Sequence, residues 1–242
     1  MLGMYDMPAI QGANDRYWQA IRARLGEGPS RLTRDADPWD MWRAPELLFA
    51  QTCGMPYRTK LIGRVARIGT PDYGLPDCAP GYYRSVIVVR VDFDGALGDL
   101  DGRRFAFNEP LSQSGWAGPV TWLSGRGITP GALLQTGAHA ASVRAVAEGR
   151  ADFAGIDAVT FALLQEHDPL AARVRVIGHT DAVPGLPYIT ALTRDAEAIA
   201  EAVRGAIADL APADRAALHL RGLVEIDDEA YLAVPTPAPP GA

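Results

Sequence analysis

The sequence has little of what marks nucleic-acid-binding, membrane-spanning and exported proteins. It has no run of basic residues and a net charge of −6 over 242 residues, whereas nucleic-acid-binding surfaces cluster Lys and Arg. No stretch reaches the roughly 20 apolar residues of a membrane-spanning helix. The first residues, MLGMYDMPAIQG, lack the basic and apolar regions of an export signal. We therefore expect no nucleic-acid partner and no membrane insertion.

Metal-binding and thiol motifs are also missing. The four histidines are scattered without HxxxH spacing, and the two cysteines, Cys53 and Cys78, do not form a CxxC pair. Because zinc sites need Cys or His at short, fixed spacings, we expect no metal site and no cofactor. Both cysteines lie in predicted loops, and the sequence leaves open whether they form a disulfide or stay as thiols.

The common catalytic signatures are absent as well. The sequence has no G-x-S-x-G elbow, no G-x-x-x-x-G-K-[ST] loop and no G-x-G-x-x-G after a predicted strand. Its neighbouring carboxylates, such as Asp227 with Asp228, fall in predicted surface turns. We therefore expect no catalytic residues and a protein that is not an enzyme.

What the sequence does have is an alternation of short strands and helices. Residues 2–6 and 85–91 are predicted strands, the second (SVIVVRV) being rich in β-branched residues. Further on, predicted strands at 104–107, 152–156 and 174–178 alternate with predicted helices at 116–124, 140–149 and 158–166. This order predicts an α/β fold with a parallel sheet covered on both faces. Trp116 and Trp122 are predicted core residues, and the end of the chain, PTPAPPGA, is predicted to be extended or disordered.

Two polar loops precede helices in this region, NEPLSQSG at 108–115 and TGAH at 136–139. The first has four hydrogen-bonding side chains where one helix cap would suffice: Asn108, Ser112, Gln113 and Ser114. A helix N-terminus offers unpaired N–H groups and a partial positive charge. The two loops therefore predict an anion site that needs no Lys or Arg, with simple capping as the alternative.

Several motifs carry a family resemblance, namely QTCG at 51–54, YYRS at 82–85, DLDGRRFAFNEPLSQSG at 99–115, TGAH at 136–139 and AVAEGRADFAGID at 145–157. On these residues the chain resembles the phosphate/phosphite/phosphonate substrate-binding proteins of ABC transporters, which have the type II periplasmic-binding-protein fold. The motifs cover about residues 46–190. The resemblance implies two α/β lobes joined by two hinge strands with a ligand cleft between them. Residues 1–88 with 185–242 would form lobe one, and residues 89–184 would form lobe two.

The resemblance also implies a set of ligand-binding residues: Tyr5, Thr52, Tyr83, Ser85, Asn108, Ser112, Gln113, Ser114, His139 and Asp157. Three of these have an equally good structural interpretation, because Tyr83 could pack in the core and His139 or Asp157 could cap the following helix. Members that bind aminophosphonates have a second acidic residue where this chain has GLPY at 185–188. This departure favours a smaller oxyanion, or a phosphonate with an apolar or aromatic substituent. Asp157 could then accept the proton of a monoprotonated phosphate or phosphite.

The function implied by the resemblance is the solute-binding component of an ABC transporter for phosphate, phosphite or phosphonate, a monomer with an ABC permease as partner. A periplasmic location follows from the family, whereas the lack of an export signal leaves a cytoplasmic location open. The alternatives are a cytoplasmic enzyme on the same fold, of the menaquinone-pathway or thiamine-pyrimidine type, and a regulatory module that senses the same ligand.

Overall fold

The computed structural model describes residues 1–240, which form two compact units. Unit 1 comprises Met1–Tyr82 and Pro184–Leu232. Unit 2 comprises Tyr83–Val183 together with the described residues after Leu232. Residues 241 and 242, the end of the predicted tail and of predicted lobe one, lie outside the described part of the chain. A cleft between two hinged lobes stays a prediction from the resemblance.

The helices and strands of residues 1–240 follow in chain order. The helices are α1 (Gln11–Leu25), α2 (Pro38–Arg43), α3 (Gly54–Pro56), α4 (Gly118–Ser124), α5 (His139–Ala147), α6 (Ala158–His167), α7 (Ala196–Asp209), α8 (Pro212–Ala217) and α9 (Asp228–Leu232). The strands are β1 (Ala50–Gln51), β2 (Val65–Asp72), β3 (Tyr82–Tyr83), β4 (Ser85–Arg90), β5 (Phe105–Phe107), β6 (Leu133–Gln135), β7 (Phe153–Asp157), β8 (Val174–His179), β9 (Val183–Pro184), β10 (Tyr188–Ala191) and β11 (Gly222–Val224). Two single π-helical turns occur, Tyr57–Leu61 after α3 and Gln113–Ala117 before α4.

Unit 1 is built on an antiparallel sheet with strand order β1-β10-β2-β11. Its core contains Tyr57, Leu61, Ile189 and Tyr231, all at most 1% exposed. The strand predicted at 2–6 is wrong. The backbone of Met1 pairs with Phe49 and Gln51, but the chain then turns at residues 3–5 and leaves the sheet edge. No disulfide joins Cys53 and Cys78 in the structure.

Unit 2 is built on a five-stranded sheet with order β6-β5-β7-β4-β8. Strand β5 pairs in parallel with β6 and β7, whereas β4 pairs antiparallel with β7 and β8. The strands predicted at 104–107, 152–156 and 174–178 therefore run in one direction, as the predicted parallel sheet requires, but β4 lies antiparallel between β7 and β8. The chain enters unit 2 at the sheet edge where β5 and β7 end, since Ser85 at the start of β4 lies opposite Asp157 at the end of β7. Strand β4 therefore runs away from this edge, whereas β5 and β7 run towards it.

The core of unit 2 explains why the predicted strands and helices pack as they do. Phe105 of β5 and Phe153 of β7 are fully buried, with ring centroids 4.9 Å apart. Trp116 and Trp122 belong to the same cluster, which confirms their prediction as core residues. Burial of these large apolar side chains is the main stabilising contribution to such a unit.

The segment after Leu232 has no regular secondary structure but is not detached from the rest of the chain. The sequence-based bounds put it in lobe one, whereas it groups with unit 2 in the structure. One of its contacts with unit 2 is the hydrogen bond that the indole N–H of Trp116 donates to the carbonyl oxygen of Ala238 over 3.0 Å. No helix within residues 1–240 is both long and apolar enough to cross a membrane.

Candidate functional site

One edge of the unit 2 sheet collects most of the predicted ligand residues. Ser85, the first residue of β4, lies opposite Asp157, the last residue of β7. Asn108 directly follows β5, and His139 begins the helix that follows β6. Because parallel strands end at the same edge of a sheet, the loops after β5, β6 and β7 meet here.

Thr180, which sequence analysis missed, belongs to the same edge. It follows β8 directly, and its hydroxyl oxygen accepts a hydrogen bond from the backbone N–H of Ser85 over 2.9 Å. The backbone N–H of Thr180 donates in turn to the carbonyl oxygen of Ser85, also over 2.9 Å. Its position two residues after the strand predicted at 174–178 was the signal in the sequence.

The segment from Ser112 to Ala117 forms a hydrogen-bonded turn within the candidate site. The Ser112 side chain accepts a hydrogen bond from the N–H of Gly115 over 2.9 Å and so caps the turn. The N–H of Ala117 donates to the carbonyl oxygen of Ser112 over 3.0 Å, five residues back, which makes the turn π-helical. Such turns are rare and occur frequently at functional sites.

The start of this turn has the character of an anion site. Ser112, Gln113 and Ser114 are all buried, although each carries a polar side chain. The first N–H groups of a helical segment have no partners within it, and the turn continues directly into α4, so their dipoles add to those of a longer segment. These N–H groups and two hydroxyls favour a small anion without a cationic side chain.

Asn108 packs its side chain against the same turn. A Cβ on Gly115 would lie 1.8 Å from Asn108 Oδ1 and 3.2 Å from Ser112 Oγ, so only glycine fits at this position. Asn108 Oδ1 is buried and has no hydrogen-bond partner among the described residues. A buried acceptor of this kind is costly unless it is paired, so it is available to a donor on a ligand.

The side chain of His139 contacts the side chain of Ser114 at the start of this turn. Its Nε2 atom lies 2.9 Å from Ser114 Oγ. Burial lowers the pKa of His139 to about 4, and a backbone hydrogen bond with Gly155 offsets part of that effect. The imidazole is therefore neutral near pH 7 and brings no positive charge to the site. His139 is the first residue of α5 and its side chain contacts Ser114 rather than capping the helix, and its contact with a ligand stays a prediction.

Asp157 and Tyr83 are both buried, at 1% and 2% exposure. Asp157 Oδ1 accepts from the backbone N–H of Thr160 over 2.9 Å, so Asp157 caps α6 as the alternative interpretation expected. Contact of either residue with a ligand stays a prediction.

The remaining two predicted residues, Tyr5 and Thr52, lie in unit 1. Thr52 is fully buried just before α3, with its N–H donating to the carbonyl oxygen of Pro187 over 3.1 Å. Tyr5 packs edge-on against Tyr73, with ring centroids 4.9 Å apart. Both tyrosines line a small cavity together with Tyr17 and Tyr188, which sequence analysis did not select. The structure therefore places Tyr5 in an aromatic pocket of unit 1.

Comparison with known families identifies the chain. Residues 64–231 match the sequence model of the phosphonate periplasmic substrate-binding proteins of ABC transporters. The chain belongs to this family. The family consists of periplasmic transport components rather than enzymes, and its members bind small phosphonate ligands and work with a permease.

Solved structures similar to this phosphonate-binding family member show the same fold. PhnD1 from Prochlorococcus marinus in complex with methylphosphonate is 14% identical, with a TM-score of 0.70 over 91% of this chain and 90% of that chain. A binding protein component of an ABC phosphonate transporter from Pseudomonas aeruginosa, PA3383, is 15% identical, with a TM-score of 0.71 over 96% and 81%. XAC2383 from Xanthomonas citri bound to ATP is 16% identical, with a TM-score of 0.65 over 91% and 90%. At these identities the likeness shows the fold alone, and it confirms the predicted type II periplasmic-binding-protein fold. A search of curated protein sequences finds no match to the chain.

Proposed function

We propose that this chain is the solute-binding component of an ABC transporter and that it binds a phosphorus oxyanion or a small phosphonate at the Ser112–His139 edge of unit 2. The observation that carries the proposal is the buried turn at Ser112–Ser114, whose second serine meets neutral His139 at 2.9 Å. Family membership supports the class of ligand, and this geometry supports the residues that bind it.

The proposed site suits reversible binding of a tetrahedral oxyanion. Hydroxyls, an amide, a neutral imidazole and backbone N–H groups can surround such an anion from several sides. None of the predicted ligand residues is cationic, so no ion pair has to break when the ligand is released to a permease. Tyr5 and Thr52 of unit 1 enter the proposal through the family resemblance alone.

The acceptors at this edge favour a ligand that still carries a proton. Asn108 Oδ1 is a buried acceptor, and Asp157 is a buried carboxylate. A carboxylate repels a fully deprotonated oxyanion but accepts a hydrogen bond from a P–OH group. GLPY at 185–188 offers no second carboxylate for an amino group. We therefore propose phosphite, monoprotonated phosphate or an alkylphosphonate as ligand; methylphosphonate is bound by the Prochlorococcus protein.

The Ser114–His139 pair does not indicate an enzyme, although serine and histidine at this distance can act as nucleophile and base. A general base works best when its pKa lies near the operating pH, and burial lowers the pKa of His139 to about 4. A histidine this weak as a base activates serine poorly at pH 7. We accordingly propose a binding role without catalysis.

A thermal-shift panel tests the proposed function. The purified chain is measured with phosphate, phosphite, methyl-, ethyl- and aminoethylphosphonate, sulfate and chorismate. A ligand that binds only the native state raises the melting temperature by mass action. We expect a shift with at least one of the non-amino phosphorus compounds that disappears in the Ser112→Ala/Ser114→Ala double variant. Ser124→Ala, on an exposed position at the end of α4, is the matched control and should keep the shift. A shift with chorismate alone, or with none of the compounds, contradicts the proposal.

A further inference from the structure

Trp116 joins three parts of unit 2. Its indole N–H donates to the carbonyl oxygen of Ala238 over 3.0 Å. Its ring packs against Phe105 and Phe107, with centroid distances of 6.2 and 5.2 Å. Its backbone N–H donates to the carbonyl oxygen of Ser112 over 3.2 Å. The buried Trp116 side chain therefore connects the chain's C-terminal segment to the sheet core, while its backbone is part of the turn at which the proposed oxyanion site begins.

The C-terminal segment is anchored at its other end on unit 1. Helix α9 ends at Leu232, and just before it the hydroxyl of Tyr231 donates to the carbonyl oxygen of Gly185 over 3.0 Å. The same hydroxyl lies 2.7 Å from Thr70 Oγ1. The chain passes from unit 1 to unit 2 after Leu232, a third passage in addition to those at Tyr82/Tyr83 and Val183/Pro184.

The composition of the segment suits a docked strap. Proline occupies positions 235, 237, 239 and 240, so Ala238 lies between two prolines. Proline restricts the unfolded chain and favours an extended conformation without internal hydrogen bonds. Fixing such a segment on Trp116 costs less conformational entropy than fixing a flexible tail, and its carbonyl groups remain available as acceptors.

We propose that Trp116 is a positioning residue for the oxyanion site and that the C-terminal segment holds it in place through Ala238. With the segment docked, the indole is fixed at both its ring and its N–H group, so the first N–H groups of Gln113–Ala117 are already oriented when the ligand arrives. Without it, part of the turn has to be ordered during binding, which lowers affinity. The affinity part of this inference rests on the proposed function, whereas the ordering of the turn does not.

The ordering is tested without ligand, by NMR and hydrogen exchange. The indole N–H signal of Trp116 is assigned as the one that is lost in Trp116→Phe. We expect this proton to be protected from exchange with water in the full chain and unprotected in a chain that ends at Leu232. We also expect backbone amides of 113–118 to exchange several-fold faster in that chain and in Trp116→Phe, which keeps a smaller aromatic ring in the core but removes the indole N–H donor.

Two controls separate this effect from general destabilisation. A chain that ends at Pro239 retains the Ala238 carbonyl and should behave as the full chain does. Trp122→Phe alters a neighbouring core tryptophan, which stacks under Arg126 with the guanidinium 3.8 Å from the ring centroid, and should leave the exchange of 113–118 unchanged. If shortening to Leu232 unfolds the chain, Trp116→Phe supplies the same comparison. Unchanged protection of the indole or of 113–118 in the chain ending at Leu232 overturns the proposal.

Affinity for methylphosphonate, measured by calorimetry, provides the second readout. Loss of one hydrogen bond that orients a site should weaken binding by about threefold to tenfold. Equal affinity in the full chain, the chain ending at Leu232 and Trp116→Phe overturns the positioning role. If the full chain binds none of the oxyanions in the thermal-shift panel while exchange of 113–118 rises as expected, the proposed function fails and the ordering role of the strap stands.

Discussion

The side-chain oxygen of Asn108 lies 1.8 Å from the position that a Cβ atom at residue 115 would occupy. Only glycine therefore fits at position 115. The two residues are seven positions apart, and between them the chain makes the loop and the cap of the proposed oxyanion site. This close approach fixes the distance between the strand end and the π-helical turn.

Gly115→Ala should therefore impair the site more than the fold. The new methyl group displaces Asn108 and crowds Ser112 Oγ, and overpacking of this kind costs about 1–3 kcal/mol in the free energy of unfolding. We expect phosphonate binding to fall at least tenfold, measured by calorimetry, with a cooperative unfolding transition retained. Gly98→Ala is the matched control, because a Cβ there meets nothing within 4 Å. Normal affinity in Gly115→Ala would show that Asn108 and Ser112 are not ligand contacts.

Asp157→Asn separates the capping role of this residue from its proposed ligand role. Asn caps helices about as well as Asp, so the bond to the N–H of Thr160 can persist and the unfolding free energy should change by less than about 1 kcal/mol. Loss of the carboxylate should instead reduce the preference for a protonated oxyanion over sulfate. We expect the dissociation constant for phosphite to rise relative to the dissociation constant for sulfate. An unchanged ratio would limit Asp157 to capping.

His139 should make the protein sensitive to acid. Its pKa is lowered from 6.5 to about 4 in the folded state by burial, so between these values the unfolded state binds more protons than the folded state. The contribution to stability is complete above about pH 6.5 and is lost as the pH falls towards 4. His139→Gln should flatten this part of the melting-temperature profile between pH 4 and 7.

Tyr231→Phe should destabilise unit 1. The hydroxyl is buried, donates to the carbonyl oxygen of Gly185 and accepts from the hydroxyl of Thr70, so its removal leaves one buried acceptor and one buried donor with one partner fewer. Such losses cost about 1–3 kcal/mol. Denaturant unfolding followed by circular dichroism measures the change, and a midpoint equal to that of the parent would contradict the expectation.

Much of unit 2 could be predicted from the sequence because its signals are local. The β-branched run at 85–91 corresponds to strand Ser85–Arg90, and the apolar run at 152–156 corresponds to Phe153–Asp157. The direction of β4 could not be predicted, since it depends on pairing with β7 and β8, which lie more than 60 residues further along the chain. The strand predicted at 2–6 failed for a similar reason, because only Met1 finds a pairing partner there.

The candidate site likewise has parts that could be predicted from the sequence and parts that could not. The polar loop with Ser112, Gln113 and Ser114 was visible as an excess of hydrogen-bonding residues before a helix. The contact of Ser114 with His139 joins residues 25 positions apart, and the contact of Trp116 with Ala238 joins residues 122 positions apart. Neither leaves a periodic or local pattern in the sequence, so both required the three-dimensional structure.

The π-helical turn at Gln113–Ala117 has a consequence for how this segment can change. A π turn holds one residue more than an α turn closing the same stretch. Deleting one residue between Ser112 and Gly118 would restore α-helical winding and rotate the preceding side chains by about 100° about the helix axis, which would turn Ser114 away from His139. The length of this segment should therefore matter as much as its residues: we expect exchange of serine for threonine here to be tolerated better than the gain or loss of one residue.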